Sequence, residues 1–297
     1  MSDHHHSHDI SGTKLLIAVA LNILITLAQL AGGLIAGSLA LLSDALHNFS
    51  DVMALLISWF AHRISHKEAD SSKTFGYKRA EIVAALFNAS VLAGIGVYLV
   101  YASVMRLIYP EPVLSSWLIW MGLLGIVVNG GSIFLLESDA RGNMNIRAAY
   151  LHLLGDVLTS VAVVLGGVAI ALWEIVWVDP LISIIIALYL IAASAGLIKE
   201  STGVLMQFAP ADVELDAVAD TVCGDPAIAG IHHVHLWRLS DHAVHLEAHL
   251  DFAEDLPLSR VTQTVEALER QLQERFGITH TTFQCEYGRD DDKRRIR

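Results

Sequence analysis

Charge is scarce in this chain of 297 residues: Asp, Glu, Lys and Arg make up 17% of it, against about 25% in an ordinary soluble domain. That shortage, with 54% hydrophobic residues, excludes a disordered chain and an ordinary water-soluble enzyme. Cysteine is scarcer still. Cys223 and Cys285 form no Cys-x-x-Cys, so neither a disulfide-stapled module nor a thiolate zinc knuckle is indicated. Basic residues are outnumbered 19 to 31, and a net charge of −12 argues against a nucleic-acid partner. No His-Glu-x-x-His helix motif occurs either, because His245-Leu246-Glu247-Ala248-His249 has the alternation of a strand. What the chain does have is 15 histidines.

The charge deficit is uneven. Residues 1–208 carry 14 acidic and 10 basic side chains, whereas residues 209–297 carry 17 and 9. A sparsely charged region followed by an acidic one predicts two domains. The first region holds six apolar runs of 18 to 26 residues: Leu15–Ala36, Leu39–Ala61, Ile82–Met105, Trp117–Leu136, Ala148–Trp173 and Leu181–Ile198. About 20 residues span a bilayer, and six such runs in succession predict a polytopic membrane protein rather than buried soluble helices. A polar, His-rich stretch precedes the first run where a signal peptide would carry its basic segment, so that run reads as a span. Arg63, Lys67, Lys73, Lys78 and Arg79 fall between the second and third runs, and Arg141 and Arg147 between the fourth and fifth. The positive-inside rule then places both termini in the cytoplasm, with the plasma (inner) membrane as the expected location. Arg106, at the far end of the third run, is positioned to snorkel. Trp117, Trp120, Trp173 and Trp177 lie near span ends, as an interfacial aromatic belt requires. The expected layout is a His-rich tail (1–13), a six-helix transmembrane domain (14–200), a linker (201–211), a cytosolic α+β domain (212–289) and a charged tail (290–297).

Five ionisable residues fall inside the six runs: Asp44, His47, Asp51, His152 and Asp156, all in the second and fifth. An Asp at mid-membrane costs about 2.5–3.5 kcal/mol on the insertion scale, so each needs a reason. The pattern Leu46-His47-x-x-x-Asp51 recurs as Leu151-His152-x-x-x-Asp156. Residues four apart share a helix face one turn apart, so two facing helices would present two imidazoles and two carboxylates. That set suits Zn²⁺, whose tetrahedral sites draw on His and Asp. An isolated pair of this kind would more simply bond helix to helix, but a matched repeat in otherwise ion-free spans points to metal. Zn²⁺ with two carboxylates and two neutral imidazoles is neutral overall, and so is the empty site with both histidines protonated. Metal and protons can therefore exchange without leaving net charge buried. Asp44, one turn before His47, reads as an entry or supporting carboxylate.

Ser43-Asp44-Ala45-x-His47-x-x-x-Asp51, Phe75-Gly76-Tyr77-x-Arg79-x-Glu81 and Asn145-x-Arg147-Ala148-Ala149-x-x-His152-x-x-x-Asp156 together resemble the cation diffusion facilitator family, in the zinc-exporting type that carries His in both His-x-x-x-Asp motifs. The likeness extends through the junction at Pro210 to His235-Leu236-Trp237 and Gln284-x-Glu286. It implies a homodimeric metal/proton antiporter working by alternating access, with a metallochaperone-like cytosolic domain.

Past Pro210, Asp212–Cys223 reads as a helix, Ile231–Leu239 and Ala243–Phe252 as strands with a turn at Ser240-Asp241-His242, Leu258–Phe276 as a helix stopped by Gly277, and Ile278–Tyr287 as a last strand. The order αββαβ predicts a small layer with both helices on one face of a sheet. Alternation sends Val244, Leu246, Ala248 and Leu250 inward, with His245, Glu247, His249 and Asp251 on the open face. The same rule turns Phe283, Cys285 and Tyr287 inward, sets His280, Thr282, Gln284 and Glu286 on the open face, and places His233 and His235 outward and His232 inward. The family resemblance, in contrast, implies a cytosolic zinc site, structural or regulatory, formed by His232, His249, His280 and Glu286. Two further histidine groups stand out. His4, His5, His6 and His8 form a tract suited to weak metal capture. His62, His66 and Asp70 recur at spacing four, compatible with a peripheral metal site, but they read first as solvated loop residues.

The sequence thus predicts a proton-coupled exporter of Zn²⁺ from the cytoplasm that is not an enzyme, using His47, Asp51, His152 and Asp156, with Cd²⁺, Co²⁺, Ni²⁺ or Fe²⁺ as competing substrates. Its expected partners are metal ions, protons, the lipid bilayer and a second copy of the chain. The rival readings are a membrane-embedded zinc metalloenzyme and a non-transporting metal sensor. Four ligands leave no open position for catalysis, and the spans hold no spare Glu as a base.

Overall fold

A computed structural model describes residues 6–140, 144–240, 243–290 and 292–296, with side chains for 18–137, 150–240, 243–290 and 292–296. Six long helices come first: α1 (His6–Ala36), α2 (Leu39–Ser65), α3 (Ala80–Ile108), α4 (Ser115–Ala140), α5 (Met144–Trp173) and α6 (Val178–Leu205). Then follow α7 (Leu215–Val222), β1 (Ile228–Ser240), β2 (Ala243–Phe252), α8 (Leu258–Phe276) and β3 (Ile278–Glu286). The chain divides into two compact units, one built from residues up to Trp59 with Phe87–Ile198, the other from Phe60–Leu86 with Lys199 onward.

All six long helices are long and apolar enough to cross a membrane. They also turn large apolar side chains such as Leu24, Leu34, Val127, Phe134, Leu158 and Leu165 outward. A soluble fold would leave these as a costly exposed patch, whereas a bilayer solvates them. Each helix outruns the apolar core that announced it. The backbone of α1 runs from His6, so residues 6–13 lie in the first helix, ahead of its apolar span at Ala18–Ala36. The His-rich side chains there lie outside the described residues.

The α1–α2 turn shows how sequence sets a boundary. Gly37 takes φ +65°, a left-handed conformation that suits a residue without Cβ. Ser38 then caps α2, its Oγ accepting the Leu41 N–H at 3.1 Å. Asp179, in the first turn of α6, reinforces the cap. Its carboxylate accepts the Ser38 hydroxyl, the Leu39 N–H at 2.8 Å and the Ala40 N–H at 3.3 Å. Arg106 donates to the Gly37 carbonyl at 2.7 Å and pairs with Glu111 at 2.8 Å, so this cation has a fixed acceptor as well as a route to water.

Packing in the first unit is concentrated around α5. Ala36, Ala40, Leu41, Leu118, Val163 and Ile170 form one buried cluster, and Leu99, Ile186, Ala187 and Leu190 tie α3 to α6 in another. Small residues permit the approach: a Cβ on Gly125 would meet Ser160 Oγ at 2.6 Å and Gln29 Nε2 at 2.9 Å.

In the second unit the sheet order is β1-β2-β3, with β1 antiparallel to β2 and β2 parallel to β3. A parallel neighbour needs a crossover, and α8 supplies it, ending on Gly277 at φ +66°. Val218 and Val222 of α7 and Leu268 and Leu272 of α8 pack on Val234, Leu236, Val244, Leu246, Ala248 and Leu250, so both helices cover one face, as αββαβ predicts. Two expected inward residues are not there: Cys285 is exposed, and Tyr287 lies beyond the strand with 58% of its surface open. The edge strand β3 outruns the cover of α8, and of its later residues only Phe283 reaches the core.

Candidate metal centres

His47 and Asp51 lie one turn apart on α2, and His152 and Asp156 one turn apart on α5. The structure brings the four together. Asp51 Oδ2 lies 3.5 Å from His47 Nδ1 and 3.5 Å from His152 Nε2, and His152 Nε2 lies 3.7 Å from Asp156 Oδ2. The imidazole rings are 6.0 Å apart. None of these separations is a hydrogen bond. His47 Nδ1, Asp51 Oδ2 and Asp156 Oδ2 are buried and make no hydrogen bond among the described residues. A tetrahedral ion with bonds of about 2.0–2.1 Å sets its ligand atoms about 3.3 Å apart. Those three separations are within a few tenths of an ångström of that spacing, and His47, His152 and Asp156 bring ligand atoms within 4.8 Å of one another, so the group has the donor set and proximity to hold such an ion.

Asp44 stands behind this group, fully buried. Gln29 of α1 donates to its Oδ2 at 2.9 Å and Thr159 of α5 to its Oδ1 at 2.6 Å. The carboxyl group is thus held by polar partners from two other helices. Gln29, Thr159 and Tyr189, whose ring lies 6.4 Å from that of His47, were not singled out in the sequence. Thr159 follows Asp156 by three positions and shares its face, a spacing that could have revealed it. Gln29 and Tyr189 stand on other helices, with no sequence signal of proximity.

The cytosolic histidines fall into two groups. His232 is buried at 2% exposure, with Nδ1 3.0 Å from Asp251 and Nε2 3.6 Å from Glu286. His249 Nδ1 lies 3.0 Å from Glu286 Oε1. These three residues bring ligand atoms within 4.8 Å of one another. His280 is elsewhere in the chain's own fold, its ring 4.7 Å from His245, which also packs on Trp237 and Phe75. His245, expected on an open face, is buried in this aromatic group.

The alternation rule placed His232 inward, and the structure corrects it. The β1–β2 register slips between His232 and His235, and His233 sits at φ +52°. This bulge puts two residues where the pleat has room for one. Ile231 and Val234 both keep their places in the core, while His232 becomes the direct partner of His249 and His233 stacks on His249 at 4.7 Å. The N–H groups of His233 and Val234 are taken up by the Arg294 and Arg295 carbonyls of the C-terminal segment. Lys293 of that segment reaches Asp251 at 2.7 Å and Glu286 at 3.4 Å, and Arg289 reaches Glu286 at 2.8 Å.

Residues 15–206 match the family model described as the cation efflux transmembrane domain, and residues 210–287 that of the cation efflux protein cytoplasmic domain. The cation efflux system protein CzcD of Alcaligenes sp. (strain CT14) is 35% identical over 284 residues, covering 95% of this chain and 89% of that protein. A cadmium, cobalt and zinc/H(+)-K(+) antiporter of Bacillus subtilis (strain 168) is 33% identical over 285 residues, covering 95% and 91%. Zinc transporter ZitB of Pectobacterium atrosepticum is 32% identical over 293 residues, covering 97% and 90%. Matched in both of its parts, the chain belongs to the cation diffusion facilitator family of cation efflux proteins.

Proposed function

We propose that the protein is a proton-coupled antiporter that exports Zn²⁺ from the cytoplasm by alternating access, with Cd²⁺ and Co²⁺ as further substrates. The observation that carries this reading is the convergence of His47, Asp51, His152 and Asp156 from two helices, with three buried ligand atoms lacking hydrogen bonds. Relatives named for zinc, cadmium and cobalt transport point to the same ions. When Zn²⁺ leaves, the two imidazoles take up protons and keep the carboxylates compensated. A protonated imidazole has no lone pair left for a metal, so protons and metal compete for the same two side chains. The chain acts as a homodimer, with both termini in the cytoplasm, and His232, His249 and Glu286 form a regulatory zinc site completed by further ligands.

The test is flux into sealed proteoliposomes with an imposed pH gradient. Wild type is expected to move Zn²⁺ against its gradient and dissipate the pH difference. Asp51→Ala and Asp156→Ala are expected to lose at least about 100-fold of the flux while inserting normally. Undiminished proton-driven flux in both variants would overturn the site assignment. Flux that ignores the pH gradient would overturn the coupling.

A further inference from the structure

The geometry points to a further divalent-cation site, separate from the two clusters above, formed by His62, His66 and Glu81 where α2 ends and α3 begins. Spacing groups Asp70 with the two histidines, but Asp70 is committed elsewhere. Its carboxylate pairs with Lys73 Nζ at 2.8 Å and accepts the Ser72 N–H and hydroxyl, and these contacts, Lys73 first, hold its carboxyl down at about 2. Glu81, in the first turn of α3, takes the place instead. One ligand atom from each of His62, His66 and Glu81 lies within 4.8 Å of the others.

Three features distinguish this group from a chance surface contact. His66 Nδ1 lies 2.9 Å from the His62 carbonyl, which only accepts, so Nδ1 carries the proton and Nε2 keeps its lone pair. Metal-binding histidines commonly have this arrangement, with one nitrogen tied to a backbone carbonyl and the other free to ligate. The carboxylate is oriented too: the buried Ser65 hydroxyl lies 2.5 Å from Glu81 Oε1. Lastly, His62 Nδ1 lies 3.1 Å from Glu81 Oε1, and the two rings are 4.4 Å apart. A hydrogen bond between His62 and Glu81 would account for two of these residues. The bond from His66 Nδ1 to the His62 carbonyl then sets a second imidazole beside that pair. Two nitrogens and a carboxylate oxygen make a borderline-soft set, suited to Zn²⁺ or Co²⁺ over Mg²⁺ or Ca²⁺. Side chains open to solvent leave water to complete the coordination, so the ion would exchange readily.

The test counts bound metal, not flux, and so stands apart from the transport reading. Purified full-length protein in detergent is dialysed to equilibrium against defined free Zn²⁺ at pH 7.5. His62→Ala/His66→Ala is expected to bind one ion fewer per protomer than wild type, and the loss is expected to add to that caused by Asp51→Ala. Glu81→Gln, nearly isosteric, is expected to weaken the same site about 10-fold or more and to remove part of the Co²⁺ absorption seen in wild type. If His62→Ala/His66→Ala prevents folding, Glu81→Gln alone decides. An unchanged isotherm and Co²⁺ spectrum in Glu81→Gln, even with a lower melting temperature, would reduce the group to a helix clamp and overturn the proposal.

Discussion

Thr159 has one proton and two acceptors in reach, the Asp44 carboxylate at 2.6 Å and the Asp156 carbonyl at 2.9 Å. Given to Asp44, that proton helps fix a buried carboxyl group one turn from His47. Thr159→Val keeps the shape and removes the donor. It is expected to weaken Zn²⁺ binding about 10-fold, within the range for supporting partners of metal ligands, with unchanged helix content. Titration of the detergent-solubilised protein measures this, and an unaltered affinity would remove Asp44 from any role at the site. His245 allows a second residue-scale prediction. Burial first, and neighbouring His280 second, hold its imidazole below the ordinary 6.5. The folded state therefore binds fewer protons than the unfolded state just below that value, and this residue's share of stability falls as pH drops through it. His245→Gln is expected to flatten the pH dependence of the melting temperature between pH 5.5 and 7; an unchanged slope would contradict the assignment.

At the scale of elements, much was legible because each signal was periodic. Leu258–Phe276 and Ala243–Phe252 were read with the bounds they have, since α8 stops at a left-handed glycine and β2 alternates cleanly. β1 misled because alternation assumes an unbroken ladder, and nothing in Ile231-His232-His233-Val234 marks the extra residue. Its cause is long-range: the bulged amides find acceptors some sixty residues later, on Arg294 and Arg295. The same segment sets Lys293 beside Asp251 and Glu286, where it competes with any metal held by His232 and His249. Lys293→Ala is expected to raise Zn²⁺ affinity at this cluster several-fold, a modest gain because the lysine is 40% exposed and screened. Calorimetric titration in an Asp51→Ala background measures it; equal or weaker binding would show that the lysine does not compete.

For the whole molecule, the charge imbalance alone separated an apolar part from an acidic one, and the structure has six membrane-length helices followed by a three-stranded sheet with its helices. The four candidate ligands His47, Asp51, His152 and Asp156 stand out in the sequence because charges are so costly in a bilayer that the few present are conspicuous. Asp179 escaped notice because it lies in what reads as a connection, two residues before the last apolar run, yet it is fully buried. Asp179→Ala is expected to cost about 1–3 kcal/mol by leaving the start of α2 unsatisfied, visible as a lower melting temperature in detergent. A variant melting with wild type would show that the cap is dispensable.

This cap also limits how the bundle can move. Pulling α2 away from α6 at that end would break three hydrogen bonds to one carboxylate together, while further along Asp44 ties the same helix to α1 and α5 through Gln29 and Thr159. His152 and Asp156 ride on α5, which belongs with α4 and α1. On the proposed transport reading, an ion held by both His-Asp pairs would bridge α2 and α5. Releasing that ion would then mean parting the two pairs while the first turn of α2 stays anchored to one carboxylate of α6.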